Sequence, residues 1–269
     1  SNIYRELGAA LKRLKAGEPI AYITGISWFY ERAFKVSPAV LIPRPETEEL
    51  TEKVLQTLIQ YLSQALSNSL NVDPLIVRIL DIGTGSGCIP ITLAAELNAH
   101  YKNQGYTKSV KIELLGIDLS EDALGIAKEN AKQLLVQEDH ISVSFESLDF
   151  LDSKALNKFL ERQGKFDVLV SNPPYIGKEE RDSLQTQVVD FEPGIALFSP
   201  NEDPLIFYKR IAEQANNIIK GNIEISTNIF LEISALYGEE SSKLFLNLNP
   251  QIHKDISGRD RIITARYSS

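Results

Sequence analysis

Methionine is missing from this chain of 269 residues, cysteine occurs once and histidine three times. With Cys88 alone, no internal disulfide can form, and a reducing compartment is the expected setting. His100, His140 and His253 are scattered without the spacing of metal ligands, so no metal site is expected. No apolar run approaches the roughly 20 residues that span a bilayer, so the chain reads as soluble, with no membrane partner. An excess of basic charge is lacking as well: the net charge of -8 argues against a protein built to grip nucleic-acid phosphates. Without methionine, Ser1 is not expected to be a native initiator, which leaves open a cloning remnant at Ser1-Asn2 and a removed targeting segment. Internal repeats and low-complexity tracts are absent too.

What is present is a globular composition, 43% hydrophobic and 24% charged, long enough for one large domain with a small appendage. Residues 3–16 read as an amphipathic helix carrying Leu7, Leu11 and Leu14 on one side, and residues 20–40 as a hairpin or irregular connector around Glu31-Arg32. Pro45 then opens a helix with Glu46, Glu48 and Glu49 near its positive end and Leu50, Val54, Leu58, Leu62 and Leu66 on one buried face. Ser67 to Pro74 reads as the loop that ends it. From Leu75 the pattern alternates: strands at 76–80, 111–117, 141–148, 166–170 and 225–233, with helices at 88–97, after Ser120, at 153–163 and from Asp203-Pro204 to about Ile219. Asn98 to Lys108 reads as a polar surface insertion, and residues 252–267 as two strands around Ser257–Asp260. The expected fold is α/β, a seven-stranded, mostly parallel Rossmann-like sheet closed by an antiparallel hairpin. The expected division is a helix-and-hairpin connector at 1–40 and a main domain at 41–269.

Four strand ends carry candidate chemistry. "DIGTGSG" puts Gly83, Thr84, Gly85, Ser86 and Gly87 between the first strand and its helix, where backbone can bend at positive φ and approach an anionic or polar ligand. The spacing is G-x-G-x-G rather than G-x-G-x-x-G, which favours a nucleoside without a pyrophosphate and disfavours a dehydrogenase. Asp118 ends the second strand, placed to accept both hydrogens of a ribose diol. Asp149 and Phe150 end the third, a carboxylate for an adenine amino group and a ring to flank the base. The fourth runs into Asn172-Pro173-Pro174-Tyr175. Two prolines cannot pair in a sheet, so they hold the chain rigid beyond it. The Asn172 carboxamide and the Pro173 carbonyl become fixed acceptors for an -NH2 group, and Tyr175 is expected to cover a flat target. Because an amide nitrogen is a poor nucleophile, aligning it with an electrophilic methyl is most of what a catalyst can do.

The glycine loop, Asp118 and NPPY resemble a class I S-adenosylmethionine-dependent methyltransferase acting on a planar nitrogen. With "GEPIAYITG", "VSPAVLIPRPETEEL", "SNPPYI", "FEPGIAL" and "DISGRDRIITARY" in order, the chain from Gly17 onward is similar to the HemK/PrmC family of release-factor glutamine N5-methyltransferases. That resemblance implies S-adenosylmethionine as cofactor and the glutamine of a release factor's Gly-Gly-Gln motif as target. It implies that Gly83 to Gly87 contact the methionine part, Asp118 the ribose and Phe150 the adenine, and that Asn172 to Tyr175 hold the glutamine, with Asn172 also facing the cofactor. It also makes residues 1–40 the remnant of a substrate-binding domain, and the protein an intracellular monomer with no direct nucleic-acid contact. Segments 63–74, 98–108 and 220–228 exceed the compact bacterial pattern, which hints at a mitochondrial member, otherwise a cytoplasmic one. A nucleic-acid adenine-N6 or cytosine-N4 methyltransferase is the rival, since such enzymes share the tetrapeptide, but it would need a basic target-recognition region. A non-catalytic cofactor-binding protein is disfavoured by the intact tetrapeptide.

Overall fold

The computed structural model describes residues 2–67, 75–104, 110–177, 180, 184–221 and 224–267. The helices and strands in chain order are α1 (Asn2–Lys15), α2 (Ile20–Thr24), β1 (Ile26–Phe29), β2 (Arg32–Lys35), α3 (Pro45–Ser67), β3 (Leu75–Ile82), α4 (Cys88–Gln104), β4 (Val110–Asp118), α5 (Glu121–Leu134), β5 (Ile141–Ser147), α6 (Ser153–Gln163) and β6 (Val168–Ser171). Then follow α7 (Thr186–Phe191), α8 (Gly194–Leu197), α9 (Ile206–Ile218), β7 (Ile229–Glu232), α10 (Gly238–Lys243), β8 (Gln251–Lys254) and β9 (Asp260–Ala265).

Seven strands form one sheet in the order β5-β4-β3-β6-β7-β9-β8. The first five in that order run parallel, and β9 joins β7 antiparallel with β8 at the edge. This is the expected Rossmann-like sheet with its closing hairpin. The chain leaves β3 toward β4 and β5, then returns to lay β6 on the other flank of β3, so the strand order reverses there. Ligands in such sheets bind outside the carboxyl ends at that reversal. Register makes the edge even: Ile82 pairs with both Ile117 and Ser171, and Ser171 with Leu231.

Side chains alternate along each strand and so feed two cores. On one face Val77, Ile79, Ile112, Val168 and Val170 meet α3 and α4, and the predicted ladder Leu50, Val54, Leu58, Leu62 and Leu66 is buried there throughout. On the other, Leu80, Ile82, Leu169 and Leu231 meet Leu156 and Phe159 of α6 and Tyr208, Ile211, Ala215 and Ile218 of α9. The hairpin β1–β2 turns through Tyr30 and Glu31, both at positive φ, and seats Phe29 edge-on to Phe34, with ring centres 6.0 Å apart, in the first core.

Several boundaries depart from the sequence reading. Asn98 to Gln104 is not a surface insertion but the continuation of α4. Lys102, Asn103 and Gln104 are exposed, while Tyr101 packs against the first core and lies tilted on His140 at 4.6 Å between ring centres. The helix α2 within 20–40 was not foreseen; it starts after Pro19, and Tyr22 anchors it by donating to the Val40 carbonyl at 2.6 Å. β7 is shorter than expected, covering 229–232 of 225–233. The expected loop 67–74 lies, beyond Ser67, outside the described residues, as do parts of segments 98–108 and 220–228. On α1, Leu7, Leu11 and Leu14 share a side as predicted, and all three are exposed.

Candidate active site

A cavity of about 320 Å³ opens at the carboxyl edge of β3, β4, β6 and the turn after β5. It is lined by Gly83 to Ser86, Asp118, Asp149, Phe150, Asn172, Pro173 and Pro174, so the four predicted clusters converge. Gly87 lies behind the loop and Tyr175 does not line the cavity.

The glycine loop is held by backbone. Gly83 and Thr84 donate to the Ile117 carbonyl at 2.9 and 3.0 Å, and Gly87 donates to the Thr84 carbonyl at 2.8 Å. Gly85 sits at φ +53° with nothing within 4 Å of where a Cβ would stand, which leaves space beside the backbone for a ligand. Gly87 is required for the opposite reason. At φ +76°, a Cβ would stand 2.9 Å from Ile91 and 3.1 Å from both Ala127 and Phe145, so the glycine lets α4 close on α5 and the sheet. The Ser86 carbonyl accepts from the buried amide of Asn130 on α5 at 2.9 Å, and the same amide group bonds both backbone groups of Lys35. One buried asparagine therefore ties the loop to the hairpin.

Asp118, expected to read a ribose, makes bonds to the loop itself. Its Oδ2 accepts from Gly85 N at 2.9 Å and its Oδ1 from Ser120 N at 2.9 Å, so the carboxylate clamps the loop as well as facing the cavity. Burial raises its pKa, and these backbone donors, with Leu119, oppose the rise. Ser120 caps α5 through Ala123 N at 3.2 Å, as predicted. Asp149 is exposed and accepts from Leu151 N at 2.9 Å, while Phe150 is buried in the second core with one side on the cavity.

The NPPY tetrapeptide leaves the sheet after Ser171, whose hydroxyl donates to the Ile82 carbonyl at 2.7 Å. Asn172 donates through Nδ2 to Thr47 Oγ1 at 3.0 Å, and Thr47 in turn donates to Glu232 Oε2 at 2.7 Å. Tyr175 turns back from the cavity. Its hydroxyl donates to Glu232 Oε1 at 3.3 Å and its ring packs on the second core, so its expected place over the target is not the one it occupies. Burial is the main cause that lifts the Tyr175 hydroxyl well above its ordinary pKa.

Sequence reasoning passed over several residues at this edge. Glu232 ends β7 in the same row as Asp118 and is 2% exposed; burial raises it to about 7, against the pull of Thr47 and Arg261. Asp81, 1% exposed beside the glycine loop, is likewise raised to about 7, chiefly by burial, and neither carboxyl oxygen has a hydrogen-bond partner. The signal that singled out Asp118, an acid at the carboxyl end of a strand, applied equally to Glu232. Across the cavity, Glu192 accepts from Ile42 N at 3.2 Å and pairs with Arg44. That fastens the segment bearing α8, with Ile195, Ala196 and Phe198 at the cavity wall, onto residues 42–44.

A methyltransferase domain model matches residues 76–221. The chain is 36% identical over 266 residues to the release factor glutamine methyltransferase of Bacteroides thetaiotaomicron, covering 97% of this chain and 80% of that one. It is 34% identical over 262 residues to the enzyme of the same name from Flavobacterium psychrophilum, covering 96% and 78%. Among solved structures, the human methyltransferase 10 domain containing protein aligns with a TM-score of 0.48 at 16% identity, over 89% of this chain and 90% of that one. At these identities over nearly its whole length, the chain belongs to the release factor glutamine methyltransferase family.

Proposed function

We propose that this chain transfers a methyl group from S-adenosylmethionine to the side-chain nitrogen of the glutamine in a release factor's Gly-Gly-Gln motif. One observation carries the reading: a carboxamide fixed through its own -NH2 lines the same cavity as the glycine loop and the Asp118 carboxylate, next to the loop at Gly83. The residues fit the cofactor's chemistry. Thr84 and Ser86 bring buried hydroxyls without hydrogen-bond partners to the loop, Asp118 offers second lone pairs to a diol, and Phe150 with Leu148 and Ile195 gives apolar walls for a base. When bound, the cofactor supplies the electrophilic methyl.

The chain's own part is alignment. Asn172 Oδ1 and the Pro173 carbonyl accept the two hydrogens of the target amide, which turns the nitrogen's remaining orbital toward the methyl. Pro173 and Pro174 keep these acceptors from moving, since neither ring can rotate about φ. Tyr175 acts from behind, holding the tetrapeptide against Glu232 rather than covering the target. The loop Gly83 to Gly87 takes the amino-acid end of the cofactor, and Asp149 and Phe150 frame its adenine.

Residues 1–40 serve as a substrate-side appendage to the catalytic domain 41–269. The protein works as a monomer on a protein substrate in a reducing, intracellular compartment. The mitochondrial placement draws no support from the two relatives, both bacterial. A competition assay tests the reading. With labelled methyl donor and equal concentrations of release factor, DNA and RNA, label is expected almost entirely in the release factor; label in nucleic acid would establish the amino-methyltransferase of bases instead.

A further inference from the structure

Behind Asn172 lies a chain of side chains drawn from three distant parts of the sequence: Tyr175 to Glu232, Thr47 to Glu232, Asn172 to Thr47. Thr47 and Asn172 line the cavity, and Tyr175 and Glu232 lie behind them. We propose that Glu232 is the positioning residue of methyl transfer: through the Thr47 hydroxyl it fixes which end of the Asn172 carboxamide faces the target. This rests on the function proposed above and adds what sets its polarity.

The count of donors and acceptors along this chain sets its direction. A threonine hydroxyl has a single hydrogen, and Thr47 gives it to Glu232 Oε2 at 2.7 Å. Its remaining capacity is to accept, and it accepts from Asn172 Nδ2 at 3.0 Å. With its -NH2 held there, Asn172 has its oxygen left for an incoming N–H. An ionised carboxylate can only accept, so it enforces this direction along the whole chain. A protonated Glu232 could donate to Thr47, release the Thr47 hydrogen toward Asn172 and let the carboxamide turn over, offering a donor where the target amide also has only donors.

Buried polar groups must be satisfied, and Glu232 is satisfied from three elements: Thr47 on α3, Tyr175 after β6, and the charge of Arg261 on β9. The other titratable groups that act on it or on its partners are Glu46 on α3, Cys88 at the start of α4, Tyr208 on α9, whose hydroxyl donates to the Glu232 carbonyl at 2.8 Å, Glu180, and Asp255, which pairs with Arg261 at 3.2 Å. Cys88 is pushed up to about 12, mainly by burial, and Tyr175 and Tyr208 well above their usual range, so none of the three changes charge near neutrality. Glu232 at about 7 does, and Asp81, also at about 7 on the neighbouring loop side, is a rival for that transition, as is Asp118, which burial raises too. The competent form is the ionised one, so turnover should rise with pH through about 7.

The test measures single-turnover methylation of a release factor at saturating cofactor, from pH 5.5 to 8.5, together with calorimetric cofactor affinity. Thr47→Val, which cuts the link, should slow turnover by about tenfold to a hundredfold, the usual cost of a misplaced positioning group, and leave cofactor affinity within about twofold. Thr47→Ser, which keeps the hydroxyl, should restore most of the rate. Glu232→Gln should flatten the pH profile, whereas Asp81→Asn should retain its rise near 7. A second readout needs no substrate: in 15N spectra the Asn172 side-chain -NH2 signals should titrate near pH 7 in the wild type and not in Glu232→Gln. An unchanged rate in Thr47→Val, a profile that follows Asp81, or Asn172 signals indifferent to Glu232 would each overturn the inference. A wild-type enzyme that leaves the release factor unmethylated would instead remove the substrate reading, and this inference with it.

Discussion

The two halves of the cavity are built by different means. On the cofactor side, the glycine loop and Asp118 hold each other through backbone N–H groups within one strand-loop-helix unit and its neighbour. On the target side, Asn172 is set by side chains, Thr47 lying 125 positions away from it and Glu232 a further 185 from Thr47. Backbone-built sites need particular residues at particular spacings, so they leave a motif in the sequence. Side-chain-built sites need only that the fold bring the partners together, and leave scattered single residues.

That contrast predicts separable damage. The largest effect should come from Asn172→Ala, which removes the target acceptor but no contact of the loop. Its single-turnover rate should fall by about a hundredfold or more, while cofactor affinity measured by calorimetry changes little. Equal losses in both would merge the two halves and refute the comparison.

Next come two substitutions on the cofactor side. Asp118→Ala strips the Gly85 and Ser120 N–H groups of their acceptor and removes the proposed diol contact, so cofactor affinity should fall by more than the roughly tenfold expected from one charged hydrogen bond. Asp118→Asn, which keeps one oxygen, should fall less. Calorimetry of the pair sharpens the comparison, because equal affinities would mean that the clamp on the loop contributes nothing. Gly87→Ala should destabilise the fold by about 1 to 3 kcal/mol, since its Cβ meets Ile91, Ala127 and Phe145 at a strained φ. Thermal unfolding would register it.

A smaller, pH-dependent effect marks the target side. Glu232 has a folded pKa of about 7 against an unfolded value near 4.5. A raised carboxylate favours the folded state at low pH, and that contribution is lost as pH rises from the unfolded to the folded pKa. The stability of Glu232→Gln relative to wild type should therefore improve between pH 4.5 and 7, by up to about 3 kcal/mol. Denaturant midpoints across that window check it; a flat difference would mean that Glu232 ionises as freely folded as unfolded.

How much of this was legible follows the same division. The parallel sheet, the helix ladder from Leu50 to Leu66 and the closing hairpin were readable because periodicity and turn residues are local signals. The glycine loop, Asp118, Phe150 and Asn172 were readable as strand ends in one row. The bond from Tyr175 to Glu232 was not readable, because nothing local says that a tyrosine after two prolines turns back to a carboxylate 57 positions away. Asn98 to Gln104 was misread because a helix end that faces water looks, in composition, like a loop. Thr47 and Glu192 were inside segments noticed for other reasons, and their partners could be known only once β7 and residues 42–44 lay against them.

The central claim is that the fixed carboxamide of Asn172 reads the amide nitrogen of one glutamine. Fragment-mass sequencing of a release factor after incubation with the enzyme and methyl donor tests it most directly. The account predicts a single added methyl on the side-chain nitrogen of the glutamine in Gly-Gly-Gln, lost when that glutamine is replaced by glutamate. A methyl placed on any other residue, or retained after that replacement, would contradict it.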